Sequence, residues 1–222
     1  MLGGRAEECG QMARLKEGAA LGRQLQRSST KKMSRGFSLT EVVVTIAVML
    51  ILTGMAIPTL LRAYEAYRFN NSATQLAGIL KLTRFEAIRR NRQIACQIQQ
   101  VGTDWLIWVD TNGNGAADAN EQQYQMTGSV SLLPAGTPPA PDAITTSLGV
   151  GSLTELTGGI GSVAFDARGA VVPVGGAQPP VYVLYVGNGA APELGYRAVV
   201  LLPSGVVHVW TAGTAGPWQQ VS

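Results

Sequence analysis

The sequence predicts an α+β protein in which one long N-terminal α-helix packs on a mostly antiparallel β-sheet head. Between Glu41 and Arg62 lie 20 uncharged residues, about the length that a helix needs to cross a bilayer. Apolar residues then recur at three- and four-residue spacing as far as about Arg92, which is typical of an amphipathic helix. From Ile94 onward the pattern changes to the alternation that is typical of strands.

A basic segment precedes the apolar run. Residues 1–36 contain eight Lys/Arg and three Glu, a net charge of +5, whereas the whole chain carries +3, so the remainder carries −2. The high sequence pI of about 9.0 therefore comes from this segment and gives no support for an acidic partner. Lys and Arg before the apolar run, with none beyond it until Arg62, predict that the N-terminus lies on the cytoplasmic side.

Glu41 is the unusual residue of the apolar segment. A carboxylate at the start of a membrane helix is costly in lipid and is by default a functional residue that needs a partner. Burial of such an acid is tolerable only beside a cation.

The string Arg35-Gly36-Phe37-Ser38-Leu39-Thr40-Glu41 resembles the class III signal of type IV pilins and type II secretion pseudopilins, which precedes an apolar helix with an internal proline, here Pro58. The resemblance implies that a prepilin peptidase cleaves between Gly36 and Phe37 and N-methylates Phe37. It also implies that Glu41 pairs with the N-terminal amine of a neighbouring subunit during assembly. Met33 is an alternative start, which would give the four-residue leader Met-Ser-Arg-Gly.

This interpretation divides the chain into a leader (1–36), a transmembrane helix (37–61), an amphipathic stem helix (62–93) and a periplasmic head (94–222). An ordinary secretory signal is the alternative, because Gly54-Met55-Ala56 before Ile57 is a small-x-small sequence. The apolar run is longer than the roughly 7–15 residues of such signals, and that alternative leaves Glu41 unexplained. A plain membrane anchor explains the length but not the Gly-Phe-x-x-x-Glu spacing.

The stem is predicted to bury one apolar stripe and to expose a basic face. The stripe consists of Ala73, Leu76, Ala77, Leu80, Ala87 and Ile88. Pro58 is expected to kink the helix where it leaves the bilayer. The other face carries Arg62, Arg68, Lys81, Arg84, Arg89, Arg90 and Arg92 against Glu65 and Glu86. It is either a solvated surface or a contact with phospholipid headgroups or acidic neighbouring subunits.

The head is predicted to contain short strands separated by Gly- and Pro-rich breaks. They are Ile94–Val101, Trp105–Asp110, Gln122–Met126, Val130–Leu133, Ser162–Phe165, Val181–Val186, Tyr196–Leu202 and Val206–Trp210. The segment Pro134–Leu153 is predicted to be a surface loop. Cys96 is the single cysteine after the leader, so we expect it to be a small core residue without a disulfide partner in the chain.

Three stretches of the head resemble the GspH/FimT pseudopilins. Arg84-Phe85-Glu86-Ala87-Ile88-Arg89-Arg90 is similar to the family's R-x-E-A-I-x-R sequence at the end of the stem. The stretch from Trp105 to Gly115 is similar to its W-x-x-F-x-D-x-N-x-N-G strand and turn, and Phe165-Asp166-Ala167-Arg168-Gly169 to its F-x-x-x-G strand end. The resemblance implies a type IV pilin-like minor subunit.

The loop from Asp110 to Glu121 has the spacing of a calcium-binding loop. Side-chain oxygens of Asp110, Asn112, Asn114, Asp118 and Glu121 fall at positions 1, 3, 5, 9 and 12, with Gly115 at position 6. The helices that usually flank such a loop are not predicted, and Asn-Gly pairs are also ordinary turn formers. The loop is therefore either a structural turn or a Ca²⁺ site, and the sequence predicts no other cofactor.

Composition gives little support for catalysis or DNA binding. His208, the only histidine, has no assignable nucleophile or orienting acid, so we do not expect an enzyme. Some FimT-type relatives bind DNA through a C-terminal G-R-x-R sequence, whereas this chain has Gly205-Val206-Val207-His208. From Ile94 onward two arginines face eight acids, a charge of −6 that repels polyphosphate.

The sequence thus predicts an inner-membrane, single-pass structural subunit with a periplasmic head and with other pilin or pseudopilin subunits as partners. It is either a subunit of a type II secretion pseudopilus or a minor pilin of a type IV pilus involved in assembly or DNA uptake.

Overall fold

The computed structural model describes residues 36–156, 160–173 and 179–221. Apart from Gly36, the predicted leader and the alternative start Met33 lie outside these ranges. The chain divides into two compact units, Met1–Gly54 and Met55–Ser222.

The long N-terminal helix α1 spans Leu39–Arg90 and continues through Pro58 without interruption. It begins where Val42 N–H donates to the Ser38 carbonyl, at 3.1 Å, and it ends just before Asn91. Its most apolar 18-residue window has a mean hydropathy of 2.3 and is not buried at all, so α1 is long and apolar enough to cross a membrane. Because Pro58 has no backbone N–H, one helical hydrogen bond is missing at that turn. The division into transmembrane and stem parts remains a prediction.

Two mostly antiparallel sheets follow the helix. Strands β1 to β10 are Ile94–Val101, Asp104–Asp110, Gln123–Met126, Val130–Leu133, Thr154–Glu155, Ile160–Phe165, Tyr182–Asn188, Tyr196–Leu201, Val207–Ala212 and Gln219–Gln220. The first sheet has the order β3-β2-β1-β6, and the second has the order β10-β9-β8-β7-β4 with β5 parallel to β7. The α+β architecture predicted from the sequence is therefore confirmed.

The stem part of α1 packs against one face of both sheets. Phe69, Leu76 and Leu80 are fully buried and share one core with Ile98 of the first sheet and Leu184 of the second. Ile88, which the sequence placed on this buried stripe, is instead 45% exposed. It lies one position past Ala87, whose side chain faces the core, and the helical turn of about 100° carries Ile88 toward the rim.

A second core covers the opposite face of the second sheet. Strand β7 alternates between the two cores: Leu184 faces the stem, whereas Val183 and Tyr185 pack with Ile144 and Trp218 on the outer side. Every residue of β7 is buried for this reason.

The predicted surface loop Pro134–Leu153 is partly wrong, because it contains a short helix, α2 (Asp142–Leu148). The helix covers the outer core through Ile144, which is fully buried. The two-residue strands β5 and β10 and a 3₁₀ turn at Pro192–Leu194 were not predicted either. The predicted strands Ile94–Val101 and Val130–Leu133 agree with β1 and β4 at both ends.

Candidate assembly site

The residues of the processing and assembly motif lie at the start of α1. Gly36 and Phe37 precede the helix, and the Phe37 side chain is 78% exposed. Glu41 lies in the first turn of α1, where the positive end of the helix dipole favours a negative charge. Among the described residues, no side chain forms a hydrogen bond or ion pair with Glu41, and the residue is exposed. Its carboxylate is therefore free to meet a cation from another chain.

The helix that follows Glu41 is apolar on every side, and its side chains are exposed. Thr45 and Thr53 donate their hydroxyl hydrogens to the helix's own carbonyls, those of Val42 at 2.8 Å and of Met49 at 2.7 Å. These bonds satisfy polar atoms that would be costly in an apolar environment. A helix that is hydrophobic all round requires lipid or other apolar helices as its surroundings.

Polar side chains of the stem form hydrogen bonds with the head. The sequence did not predict these bonds. Glu65 accepts hydrogen bonds from the Ser129 hydroxyl at 3.3 Å and the Asn188 amide at 3.2 Å. Arg68 donates to the Thr127 carbonyl at 3.1 Å, and Arg92 donates to the Thr111 carbonyl. The prediction of a solvated basic face is therefore wrong for Arg68, which is half-buried, whereas Arg92 is exposed although it is bonded to the head.

Four other cations of the basic face have different surroundings from those of Arg68 and Arg92. Arg89 and Arg90 pair with Glu86 at 2.7 and 2.9 Å, and Arg89 is the main reason that the pKa of Glu86 is lowered. Arg62 and Lys81 are exposed. These four cations remain at the surface as predicted.

Arg84, Ile88, Gly169 and Gly205 form a contact that we call the Arg84 junction. A Cβ added at Gly169 would lie 2.9 Å from Arg84 Nε and 2.7 Å from Ile88 Cδ1. A Cβ added at Gly205 would lie 3.0 Å from Arg84 Nε and would overlap the Gly169 carbonyl oxygen. Both glycines have positive φ, +81° at Gly169 and +78° at Gly205, and both lie close to the Arg84 side chain. At Gly205 the Gly169 carbonyl also leaves no room for a Cβ, so this position requires glycine most strictly. All four residues belong to the three sequence patches that resemble the GspH/FimT family or to the G-R-x-R position.

The Arg197 side chain is also committed to the stem. Its guanidinium lies 4.7 Å from the centre of the Phe69 ring and donates to the Asn70 side-chain oxygen at 2.8 and 3.0 Å. Burial lowers the pKa of this group. Of the two arginines in the head sequence, Arg168 alone is exposed.

The loop from Asp110 to Glu121 satisfies its own carboxylates. Asp110 accepts hydrogen bonds from the backbone N–H groups of Gly113 at 2.6 Å and Gly115 at 2.9 Å, both of which have positive φ. Glu121 accepts from Thr111 N–H at 2.6 Å.

The remaining oxygen donors are also used within the loop. Asp118 receives the side-chain amides of Asn112 and Asn114 at 2.6 and 2.8 Å. Within the part of the chain that the structure describes, no group of three or more His, Cys, Asp or Glu side chains is arranged to hold a metal ion. This donor set fits a turn better than a Ca²⁺ site, because a cation would have to displace several of these bonds.

We expect calcium to leave the melting temperature of the segment from Phe69 onward unchanged. A ligand that binds only the folded state raises the free energy of unfolding, so a Ca²⁺ site would appear as a gain in millimolar Ca²⁺ over chelator. Thermal melts in the two buffers measure the difference. A gain that disappears in Asp110→Ala but persists in Asp104→Ala would contradict the turn interpretation.

Cys96 and His208 are the two remaining residues that the sequence singled out. Cys96 is fully buried, and burial raises the pKa of its thiol to about 12, so the predicted core role is confirmed. His208 lies on β9 beside Gln220, whose side-chain amide is 2.9 Å from His208 Nδ1. Neither arrangement supplies a nucleophile with a base.

The fold and the N-terminal segment define a class of protein. A model of the prokaryotic N-terminal methylation motif matches residues 31–57, which contain Gly36, Phe37 and Glu41. Together with the one long apolar helix found among the described residues, this match defines a membrane-anchored, type IV pilin-like protein.

A second match shows the family to which the chain belongs. The family model described as type II transport protein GspH matches residues 72–205, more than half of the chain. The chain belongs to the GspH family, whose members are structural subunits; no feature of the described residues points to catalysis.

Similar proteins include pilus components. The pilin-like protein PilA1 of Thermus thermophilus is 32% identical over 89 residues, which are 40% of this chain and 56% of PilA1. The chain thus spans little more than half the length of this curated relative. Two crystal structures of the type IV minor pilin FimU of Pseudomonas aeruginosa are 15% identical, with TM-scores of 0.44 and 0.43. They cover 64% and 63% of this chain and 88% and 90% of FimU, and neither score supports a conclusion about function.

Proposed function

We propose that this chain is a minor pseudopilin, a structural subunit of a type II secretion pseudopilus. A prepilin peptidase removes residues 1–36 and methylates Phe37. The chain is held in the inner membrane by residues 37–61, with its head in the periplasm, and it enters the filament through α1. The single observation that carries this proposal is Glu41, an exposed carboxylate that has no hydrogen-bond or ion-pair partner among the described residues and that precedes the uncharged segment 42–61 of α1.

The chemistry of assembly follows from that arrangement. The mature N-terminus at Phe37 is a cation placed four residues from an acid. Two such helices, displaced along the filament axis, can bring the ammonium group of one chain to the Glu41 carboxylate of the next. In an apolar environment this pair fixes the register, because any other displacement leaves both charges unpaired.

Processing has a specific expected outcome. Intact-mass analysis of membrane-extracted protein should give a chain that begins at Phe37 and carries one N-methyl group. Gly36→Val should leave the leader attached, because a branched side chain obstructs cleavage, and a Cβ at Gly36 meets no atom within 4 Å that would disturb the fold. Gly54→Val, where a Cβ also meets nothing within 4 Å, is the matched control. A mature chain that begins at Ile57 would favour the secretory-signal alternative.

A minor pilin of a type IV pilus is the second candidate. The observation that favours it is the relative named pilin-like protein PilA1. The two candidates share processing and assembly and differ in the filament that they join. DNA uptake would require the head to bind a polyphosphate.

We expect the segment from Phe69 onward not to bind duplex DNA appreciably at physiological salt. Non-specific affinity comes mainly from Lys and Arg that neutralise phosphates. This segment carries seven Lys and Arg against nine Asp and Glu, so its net charge is negative. Of its cations, Arg89 and Arg90 pair with Glu86, Arg197 is engaged by Phe69 and Asn70, and the head itself exposes only Arg168. Fluorescence titration at low and at physiological salt measures the affinity. Salt-sensitive micromolar binding that is lost in Arg168→Gln would favour the DNA-uptake pilin instead.

A further inference from the structure

The outer side of the second sheet contains a half-open cavity of about 560 Å³. It is lined by the sheet residues Val183 and Tyr185 and by the proline-rich segment at Pro138 and Pro139. The Trp218 indole N–H donates to the Pro139 carbonyl at 3.2 Å and so ties this segment to the C-terminal strand. The cavity is within the size range of ordinary ligand pockets.

Asp142 and Glu155 are the acidic side chains that line the cavity, and Glu155 is the one with a buried carboxylate oxygen. One oxygen of its carboxylate accepts the Ala135 backbone N–H at 2.8 Å. The other oxygen, Oε1, is buried and has no hydrogen-bond partner among the described residues. A buried carboxylate oxygen without a partner is unfavourable. Oε1 is shielded from solvent here, so a donor in the cavity reaches it only when the Glu155 side chain turns toward the cavity that it lines, and that bond would remove the cost.

The described residues supply this cavity with no cation. Its ionisable side chains among them are Glu155, Asp142 and Tyr185, and none of the described lining residues is Lys, Arg or His. Burial and the nearby Glu155 both raise the pKa of the Tyr185 hydroxyl, which therefore remains a neutral donor or acceptor. The sequence from Pro134 to Leu156 contains no basic residue, so the missing charge has to come from outside this segment.

The remaining lining suits the alkyl part of a basic side chain. Pro138, Leu153 and Val183 are apolar and line the same cavity as Glu155. Lys and Arg characteristically pack their methylene stems along apolar surface while the charged end meets polar groups. A guanidinium offers donors to both a carboxylate and a hydroxyl, which are the groups that Glu155 and Tyr185 present.

We propose that this cavity receives an Arg or Lys side chain from a neighbouring pilin-like subunit, with Glu155 as the residue that binds its charge. The choice of a neighbouring subunit rests on the proposed function. The distribution of charge supports this choice. The head of this chain has a net charge of −6 and its own stem exposes the cations Arg62 and Lys81, so a neighbouring subunit built in the same way would offer a cation to this head.

The first test uses the full chain in detergent, with N-acetyl-arginine amide as the probe and N-acetyl-citrulline amide as its neutral analogue. The arginine compound should raise the melting temperature, and the citrulline compound should not. Glu155→Gln should weaken the arginine effect at least about tenfold, because the amide still accepts the Ala135 N–H but lacks the charge. Glu193→Gln, which removes an exposed acid outside the cavity, is the matched control and should behave as the unmodified chain.

The second test identifies the source of the side chain. A photoreactive residue at Ser152, at the exposed edge of the cavity, should crosslink to an identified pilin-like subunit in cells, and Glu155→Gln should reduce the product. The same residue at Gln100, on the other sheet, is the control position. Equal effects of arginine and citrulline would overturn the site. Arginine binding without a crosslink to such a subunit would overturn the proposed partner.

The two tests separate this inference from the proposed function. The arginine titration uses the isolated chain, so its outcome does not depend on filament assembly. Normal assembly together with a failed titration contradicts the cavity alone. A positive titration in a chain that never enters a filament contradicts the assembly role instead.

Discussion

Replacing Glu41 with alanine is expected to leave cleavage and membrane insertion intact and to remove most of the chain from the filament. Loss of one partner of a buried ion pair typically costs about 3–5 kcal/mol, since the other charge stays buried. At about 1.4 kcal/mol per factor of ten, incorporation should fall on the order of a hundredfold or more. Crosslinking of the variant to partner subunits, with processed chain measured in parallel, tests this expectation.

Two further variants test whether assembly depends on the charge of Glu41, on the shape of its side chain or on its position in α1. Glu41→Gln keeps the size of the side chain and should fail as Glu41→Ala does, because the ammonium group still lacks its counter-charge. Glu86→Ala removes an acid from the same helix that pairs with Arg89 and Arg90 of its own chain, so it should assemble normally. Normal crosslinking of both Glu41 variants would eliminate the role that we assign to this residue.

Gly205→Ala is expected to destabilise the head strongly. Gly205 has a φ of +78°, which L-residues rarely adopt, and an added Cβ would overlap the Gly169 carbonyl oxygen and press on Arg84. The clash and the backbone cost together are of the size of a severe point mutation, about 3 kcal/mol. For a unit of this length that is a fall in melting temperature of about 10 °C, measurable by circular dichroism of the detergent-solubilised chain.

Gly102→Ala is the matched control for this prediction. Gly102 also has a positive φ, +65°, but an added Cβ there meets nothing within 4 Å. It should lose only the backbone cost, about 1 kcal/mol. If the two variants melt alike, the Arg84 junction contributes nothing beyond backbone conformation.

Local features of the fold were predictable from the sequence. The alternation in Ile94–Val101 and the Gly102-Thr103 turn define β1 and its hairpin partner, because both signals lie within a few residues. The apolar spacing of Ala73, Leu76 and Leu80 predicts the buried face of the stem for the same reason.

Long-range features were not predictable. The separation into two sheets depends on the pairing of β1 with β6, in which Ile94 lies opposite Phe165, and no local pattern encodes that distance in sequence. Helix α2 is hidden in a segment rich in Pro, Gly, Ser and Thr, because most of its stability comes from burial of Ile144 in the outer core.

The candidate functional residues also divide into those that a local sequence pattern predicts and those that only long-range contacts bring together. The Gly36, Phe37 and Glu41 motif is contiguous and was read directly from the sequence. The Arg84 junction joins residues about 120 positions apart, and the Glu155 cavity depends on a strand, a loop and the C-terminus meeting. The sequence signals of the Arg84 junction were the family-like patches at Arg84 and Gly169, and their proximity in space could not be inferred from the sequence.

The burial of Cys96 has a practical consequence for mapping the filament. In a chain cleaved after Gly36, Cys96 is the sole cysteine, its thiol is buried, and its high pKa keeps it protonated, so thiol-alkylating reagents and oxidants do not reach it. A cysteine engineered at any exposed position would then be the one reactive handle of the molecule. Subunit neighbours could thus be determined by pairwise disulfide trapping in an otherwise unaltered background.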